Sequence, residues 1–189
     1  MLKSAGGVKA VKLWFNYEWH SATQDKRSVH VKRVLAGIEK EDFPQYLSFE
    51  LASAAAPIPG SVRYMKWDYD RATMVPFAAI CWGSSDATGT VTYLATHQII
   101  SIRQLRTPKK GTSRSRRFVV DGQTYKWKIM PNGVDLRCFI DGGLRSDNVV
   151  AEWKDEDRTM WADSMSEELR EKVVLSLYLN LYYISIGQW

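Results

Sequence analysis

Residues 173–186, VVLSLYLNLYYISI, are apolar except for Ser176, Asn180 and Ser185. Wound into a helix, such a run is apolar around its whole circumference, and a helix of that kind is buried on every face. At 1.5 Å per residue it spans only ~20 Å, short of the ~30 Å hydrocarbon core of a bilayer. The reading is therefore a central helix inside a protein core, with a C-terminal membrane anchor as the competing one. Ser164-Met165-Ser166-Glu167 has capping-box spacing, and Glu167, Glu168 and Glu171 fall in the first turns, where the helix dipole favours acids. The helix is expected over 165–186, and other elements have to surround it.

The material for that wall precedes it. From Gln45 onward, short runs rich in β-branched and aromatic residues are cut by turn residues about every ten positions: YLSFELASA, SVRYMKWDY, VPFAAICWG, TVTYLATHQIISIRQL, RRFVVDG, TYKWKIM, VDLRCFID and NVVAEWK. This is the pattern of a meander, sandwich or barrel. Pro57-Ile58-Pro59-Gly60 and Ser84-Ser85-Asp86 separate some of the runs. Asp121-Gly122 and Asn132-Gly133 supply positive φ for two-residue hairpins, so the strands ending at Val120, Met130 and Ile140 are expected to be antiparallel neighbours. In TYKWKI, Tyr125, Trp127 and Ile129 take the packed side, and Lys126 and Lys128 the wet one.

Residues 1–44 differ in character and are read as an N-terminal extension, packed on or appended to a domain over 45–189. KLWFNYEW alternates as a strand does, whereas Ser28 to Lys40 suits either a strand or a helix.

Composition narrows the class. A chain of 189 residues has room for one core of ordinary size, and 45% hydrophobic with 12% aromatic residues excludes disorder. Cys81 and Cys138 stand far apart with no Cys-x-x-Cys or Cys/His cluster, so no structural metal is expected. The start, MLKSAGGVKAVKLWF, lacks the continuous apolar run of a secretory signal, which suggests an intracellular protein, cytoplasmic or nuclear, with reduced thiols. The formal charge of +5 suits an anionic partner.

One set of motifs resembles a known family. SRRFVVDGQTYKWKI, then DLRCFIDGG, then VVAEWK and a C-terminal apolar helix resemble a fungal domain family of mushroom-forming basidiomycetes that has no assigned chemistry. The likeness rests on Arg117, Phe118, Asp121, Gly122 and the block Tyr125 to Lys128, then Leu136 to Asp141, then Val149 to Trp153. It covers about residues 45–189. That family in turn is similar to the tubby C-terminal, LURP-one and phospholipid scramblase group. The resemblance implies a mainly β fold, a closed antiparallel β-barrel wrapped around a hydrophobic C-terminal helix. It carries over no catalytic residue, and lipid binding is its most direct functional implication.

The strongest local signal for function is the basic span, Lys109, Lys110, Arg114, Arg116 and Arg117, in which glycine and serine keep the chain loose and arginine forks match phosphate oxygens. Such a hairpin suits a phosphoinositide or other lipid head group, with nucleic acid ranked behind because the aromatics fall on the packed sides of their strands. The competing reading is a solvated tip that serves solubility. His20, His30 and His97 are solitary, and neither H-E-x-x-H, G-x-S-x-G nor a P-loop occurs. Asp155-Glu156-Asp157 with Asp163 lacks the spacing of a calcium loop. Those acids also suit the basic loop of a second copy, as in a homo-oligomer. The expected function is thus a non-catalytic binding domain that needs no cofactor, working inside the cell at a membrane periphery. The alternatives are a small-ligand barrel acting as an enzyme of fungal secondary metabolism, with His97, Glu50 and Asp68 converging on a pocket, or a protein-interaction effector or scaffold.

Overall fold

The computed structural model describes residues 14–21, 25, 27–34, 45–53, 60–84, 88–142 and 148–189. Residues 1–13, the Pro57-Ile58-Pro59 break and Ser85-Asp86 lie outside that set. The strands are β1 (Trp14–Ser21), β2 (Val29–Val34), β3 (Gln45–Leu51), β4 (Val62–Asp68), β5 (Thr73–Cys81), β6 (Thr90–Tyr93), β7 (Ile99–Ser101), β8 (Thr107–Pro108), β9 (Ser115–Val120), β10 (Gln123–Ile129), β11 (Leu136–Ile140), β12 (Val149–Lys154) and β13 (Thr159–Asp163). A 3-10 helix (Ile102–Leu105) joins β7 to β8, and α1 (Glu167–Ser185) ends the chain.

All thirteen strands share one antiparallel sheet, ordered β7-β6-β5-β4-β3-β2-β1-β13-β12-β11-β10-β9-β8. Sequence neighbours are sheet neighbours, as short turns dictate, except β7 and β8, which stand at opposite edges. The two halves join where β1 lies against β13, with Trp14 opposite Asp163 and Glu18 opposite Thr159. The ambiguous stretch after Ser28 is a strand over Val29–Val34; residues 35–44 lie outside the described set. The division at residue 44 has no counterpart in the pairing, because β1 and β2 stand inside the sheet between β3 and β13.

Alternation decides which side of each strand is dry. Tyr17, Phe49, Tyr64, Ile80, Trp127, Leu136, Trp153 and Met160 are all buried. They form one buried cluster with α1, in which Val173 to Asn180 are buried without a break for more than two turns, so the helix is covered on every side. Its partners come from both halves of the sheet. The Tyr178 ring stacks on Phe49 with centroids 3.8 Å apart, and Lys172 Nζ donates to Tyr93 Oη at 2.8 Å. The polar breaks in the apolar run are pinning points. Trp127 Nε1 donates to Ser176 Oγ at 2.9 Å, and Arg106 Nε donates to Asn180 Oδ1 at 3.3 Å.

The N-cap is Ser166, whose Oγ accepts from the Leu169 N–H at 3.3 Å, so the helix opens at Glu167 and the Ser164–Glu167 capping box is not formed. Lys66 on β4 grips Glu167 and, at 2.6 Å, Glu171. No helix among the described residues is long and apolar enough to cross a membrane.

The barrel expectation holds as a sheet curled about a helix, but the hydrogen-bond ladder is not closed. β7 and β8 are its two edges. Between them the 3-10 helix, capped by Ser101 and Gln104, sets the buried side chains of Ile102 and Leu105 in the seam. Packing covers the gap that pairing leaves.

The two glycine turns differ. Asp121 and Gly122 have φ of +49° and +75°, and Val120 faces Gln123 directly, as in a type I′ hairpin. At Asn132-Gly133 only Gly133 has positive φ (+80°), in a wider loop where the Gly133 N–H meets the Met130 carbonyl at 3.0 Å and Asn132 Oδ1 accepts from the N–H groups of Val134 and Asp135. The expected two-residue turn is absent there because Pro131 sets the turn one residue earlier and the Asn132 amide ties down the far side.

Candidate functional site

The basic span does not act as one tip. Lys109, Lys110 and Arg114 are exposed on the loop between β8 and β9, with Arg114 Nη2 donating to the Met130 carbonyl at 3.2 Å. Arg116 points inward: it is 5% exposed, donates from Nη1 to the carbonyls of Ser113 (2.8 Å) and Ser115 (3.1 Å), and lies over the Trp189 ring. Arg117 faces outward and pairs with Asp141 at 2.5 Å.

Pairing widens the cationic surface beyond that loop. The Asp121-Gly122 hairpin sets Arg117 directly opposite Lys126, and the next ladder sets Lys128 opposite Arg137. Like charges facing each other across strands repel. Carboxylates relieve part of this, each shared by two cations: Asp141 by Arg117 and Lys126, Glu152 by Arg137 (3.1 Å) and Lys154 (3.1 Å). Burial pushes the Asp141 carboxyl up, and Lys126, Arg117 and Lys109 more than offset this, holding it below its usual range. Exposed Lys128 has no acidic partner among the described residues. The outer side of β9–β12 therefore carries more cations than carboxylates. Lys126, Lys128 and Arg137 were not singled out as site residues from sequence, although the YKWK alternation and the Asp-Gly turn together contain the register that aligns them.

The three residues of the enzyme alternative are not brought together. His97 is exposed in the turn between β6 and β7 at φ +53°, Glu50 on β3 accepts from Ser48 Oγ and from Arg63 on β4, and Asp68 Oδ1 accepts from the N–H groups of Asp70 and Arg71. A cavity of about 480 Å³ at the start of α1 includes Asp68 but neither His97 nor Glu50. Among the described residues no group of three His, Cys, Asp or Glu is placed to hold a metal ion. Cys138 is buried, which pushes its thiol well above the ordinary range, and Cys81 is half-buried.

A second cavity, of about 540 Å³, lies at the other end of α1. Trp19, Trp153, Tyr178, Leu181 and Tyr182 form its wall, with Val134 and Arg158 exposed on it. It neighbours the basic loop through the 130–135 loop, since the Ile129 N–H donates to the Arg114 carbonyl at 3.1 Å. No family model, no curated protein and no solved structure matches this chain.

Proposed function

We propose that the chain is a non-catalytic binding domain that recognises an anionic lipid head group, such as a phosphoinositide, at the cytoplasmic side of a membrane. The observation that carries this reading is the cation excess on the outer side of β9–β12, where Lys128 faces Arg137 and each of Asp141 and Glu152 serves two cations. A row of like charges on neighbouring strands is favourable when a polyanion lies across it, and the exposed Lys109, Lys110 and Arg114 extend the row onto a loop. The same proposal groups the curled sheet with the tubby-type barrels, its seam closed by packing and not by strand pairing. That assignment is supported by the wrapped helix and by the seam filled with Ile102 and Leu105.

Near an anionic membrane each exposed cation contributes about 1 kcal/mol, screened over about 8 Å at physiological salt. Replacing Lys110, Arg114 and Lys128 together with Ser is expected to weaken binding to phosphatidylcholine vesicles containing phosphatidylinositol bisphosphate about a hundredfold, with little change in unfolding midpoint. Co-sedimentation at low and physiological salt measures it. Equal binding by the triple variant, no wild-type binding at low salt, or a preference for duplex nucleic acid over vesicles would each remove the lipid reading.

A further inference from the structure

We infer that the cavity at the C-terminal end of α1 is a binding site for an amphiphilic monoanion, an apolar body with one carboxylate or equivalent group, seated with its charge at Arg158. The volume of about 540 Å³ falls within the range of small-molecule pockets. At the ~30 Å³ that a small heavy-atom group occupies in a liquid, it holds about 18 heavy atoms, the size of a long-chain fatty acid.

The lining has the character such a ligand requires, mostly aromatic and aliphatic with few polar groups. Trp19 and Trp153 are 3% and 2% exposed, with ring centroids 5.6 Å apart, and both indole N–H groups are buried without an acceptor among the described residues. The wall thus presents an apolar surface, with both indole N–H groups enclosed behind it.

Arg158 supplies the polar end. It is exposed and makes no ion pair among the described residues, unlike Arg117 and Arg137. Its backbone is fixed from two sides: its N–H donates to the Asp155 carbonyl at 3.3 Å, and its carbonyl accepts from the Trp19 N–H at 3.0 Å. It also holds φ at +52°, a conformation in which a long branched-head side chain is uncommon and which glycine or asparagine would adopt at lower cost. Asp155 lies on the same cavity, so a second negative charge on the ligand would meet a carboxylate; this restricts the ligand to one.

The site is separate from the cationic outer face, and the two readings fail separately. The experiment measures displacement of an anilinonaphthalene sulfonate dye by palmitate and by hexadecanol, its uncharged counterpart, on protein whose near-ultraviolet dichroism is native. Wild-type protein is expected to bind the dye saturably and to prefer palmitate to hexadecanol about tenfold, the worth of one charge-assisted hydrogen bond. Arg158→Ala should abolish that preference. Val134→Trp, a change at a side chain already 43% exposed, should block both ligands while leaving the unfolding midpoint in place. The triple Ser variant of the outer face should bind palmitate as the wild type does. Absence of saturable binding to natively folded wild type, a palmitate preference that survives Arg158→Ala, undiminished binding by Val134→Trp, or loss of palmitate binding in the triple variant would each overturn the assignment.

Discussion

On β9, Arg116 and Arg117 are adjacent and of the same chemical type, yet the pleat sends one to the core and the other to solvent. Removing Arg116 leaves the Ser113 and Ser115 carbonyls without their guanidinium donor and the Trp189 ring without the cation 4.8 Å from its centroid. Arg116→Ala is therefore expected to lower stability by about 2 to 3 kcal/mol, read from the urea midpoint, whereas Lys110→Ala, on an exposed loop, should stay within about 0.5 kcal/mol. The residue types of the basic span were legible in sequence. Their separation was not, because it depends on where β9 begins, and the serines and arginines at 113–117 do not mark that boundary.

Within α1, two leucines one turn apart occupy different surroundings. Leu177 is fully buried, while Leu181 is only partly covered and borders the cavity with Trp19 and Tyr182. Both are expected from sequence to be core, and the all-round apolar pattern gives no reason to separate them; the difference arises because the wall ends before the helix does. Leu177→Ala should cost about 2 to 5 kcal/mol and Leu181→Ala less than half of that, measured by thermal unfolding of the two variants under the same conditions. Comparable losses would mean that the cavity is filled in solution. The hairpins show the same limit at the level of turns. Asp121-Gly122 behaves as its dipeptide predicts, whereas Asn132-Gly133 follows Pro131, and the proline ring relocates the turn.

Across the whole molecule, the decisive contact joins the first strand to the last. β1 lies between β2 and β13, so the ladder from one edge to the other runs through residues 14–34. Removing residues 1–34 would expose the flanks of β3 and β13 and strip Tyr17, Trp19, Val29 and Val31 from the core, leaving two half-sheets with one helix between them. The truncated chain is expected to lose its cooperative unfolding transition; retention of a sharp calorimetric peak would show that residues 35–189 fold alone. What the sequence determined by itself is local. It contains the strands, through alternation at period two; the buried helix, through an apolar run with no polar face; and the Asp-Gly hairpin, through positive φ. What the tertiary structure alone decided is everything that joins residues far apart in the chain: β1 against β13, the open ladder closed over by Ile102 and Leu105, Arg116 beneath Trp189, and Arg158 on an aromatic cavity. The physical reason is that backbone preferences act over a few residues. The order in which strands meet is instead set by how a curled sheet can bury one apolar helix on all sides, a condition that no single segment expresses.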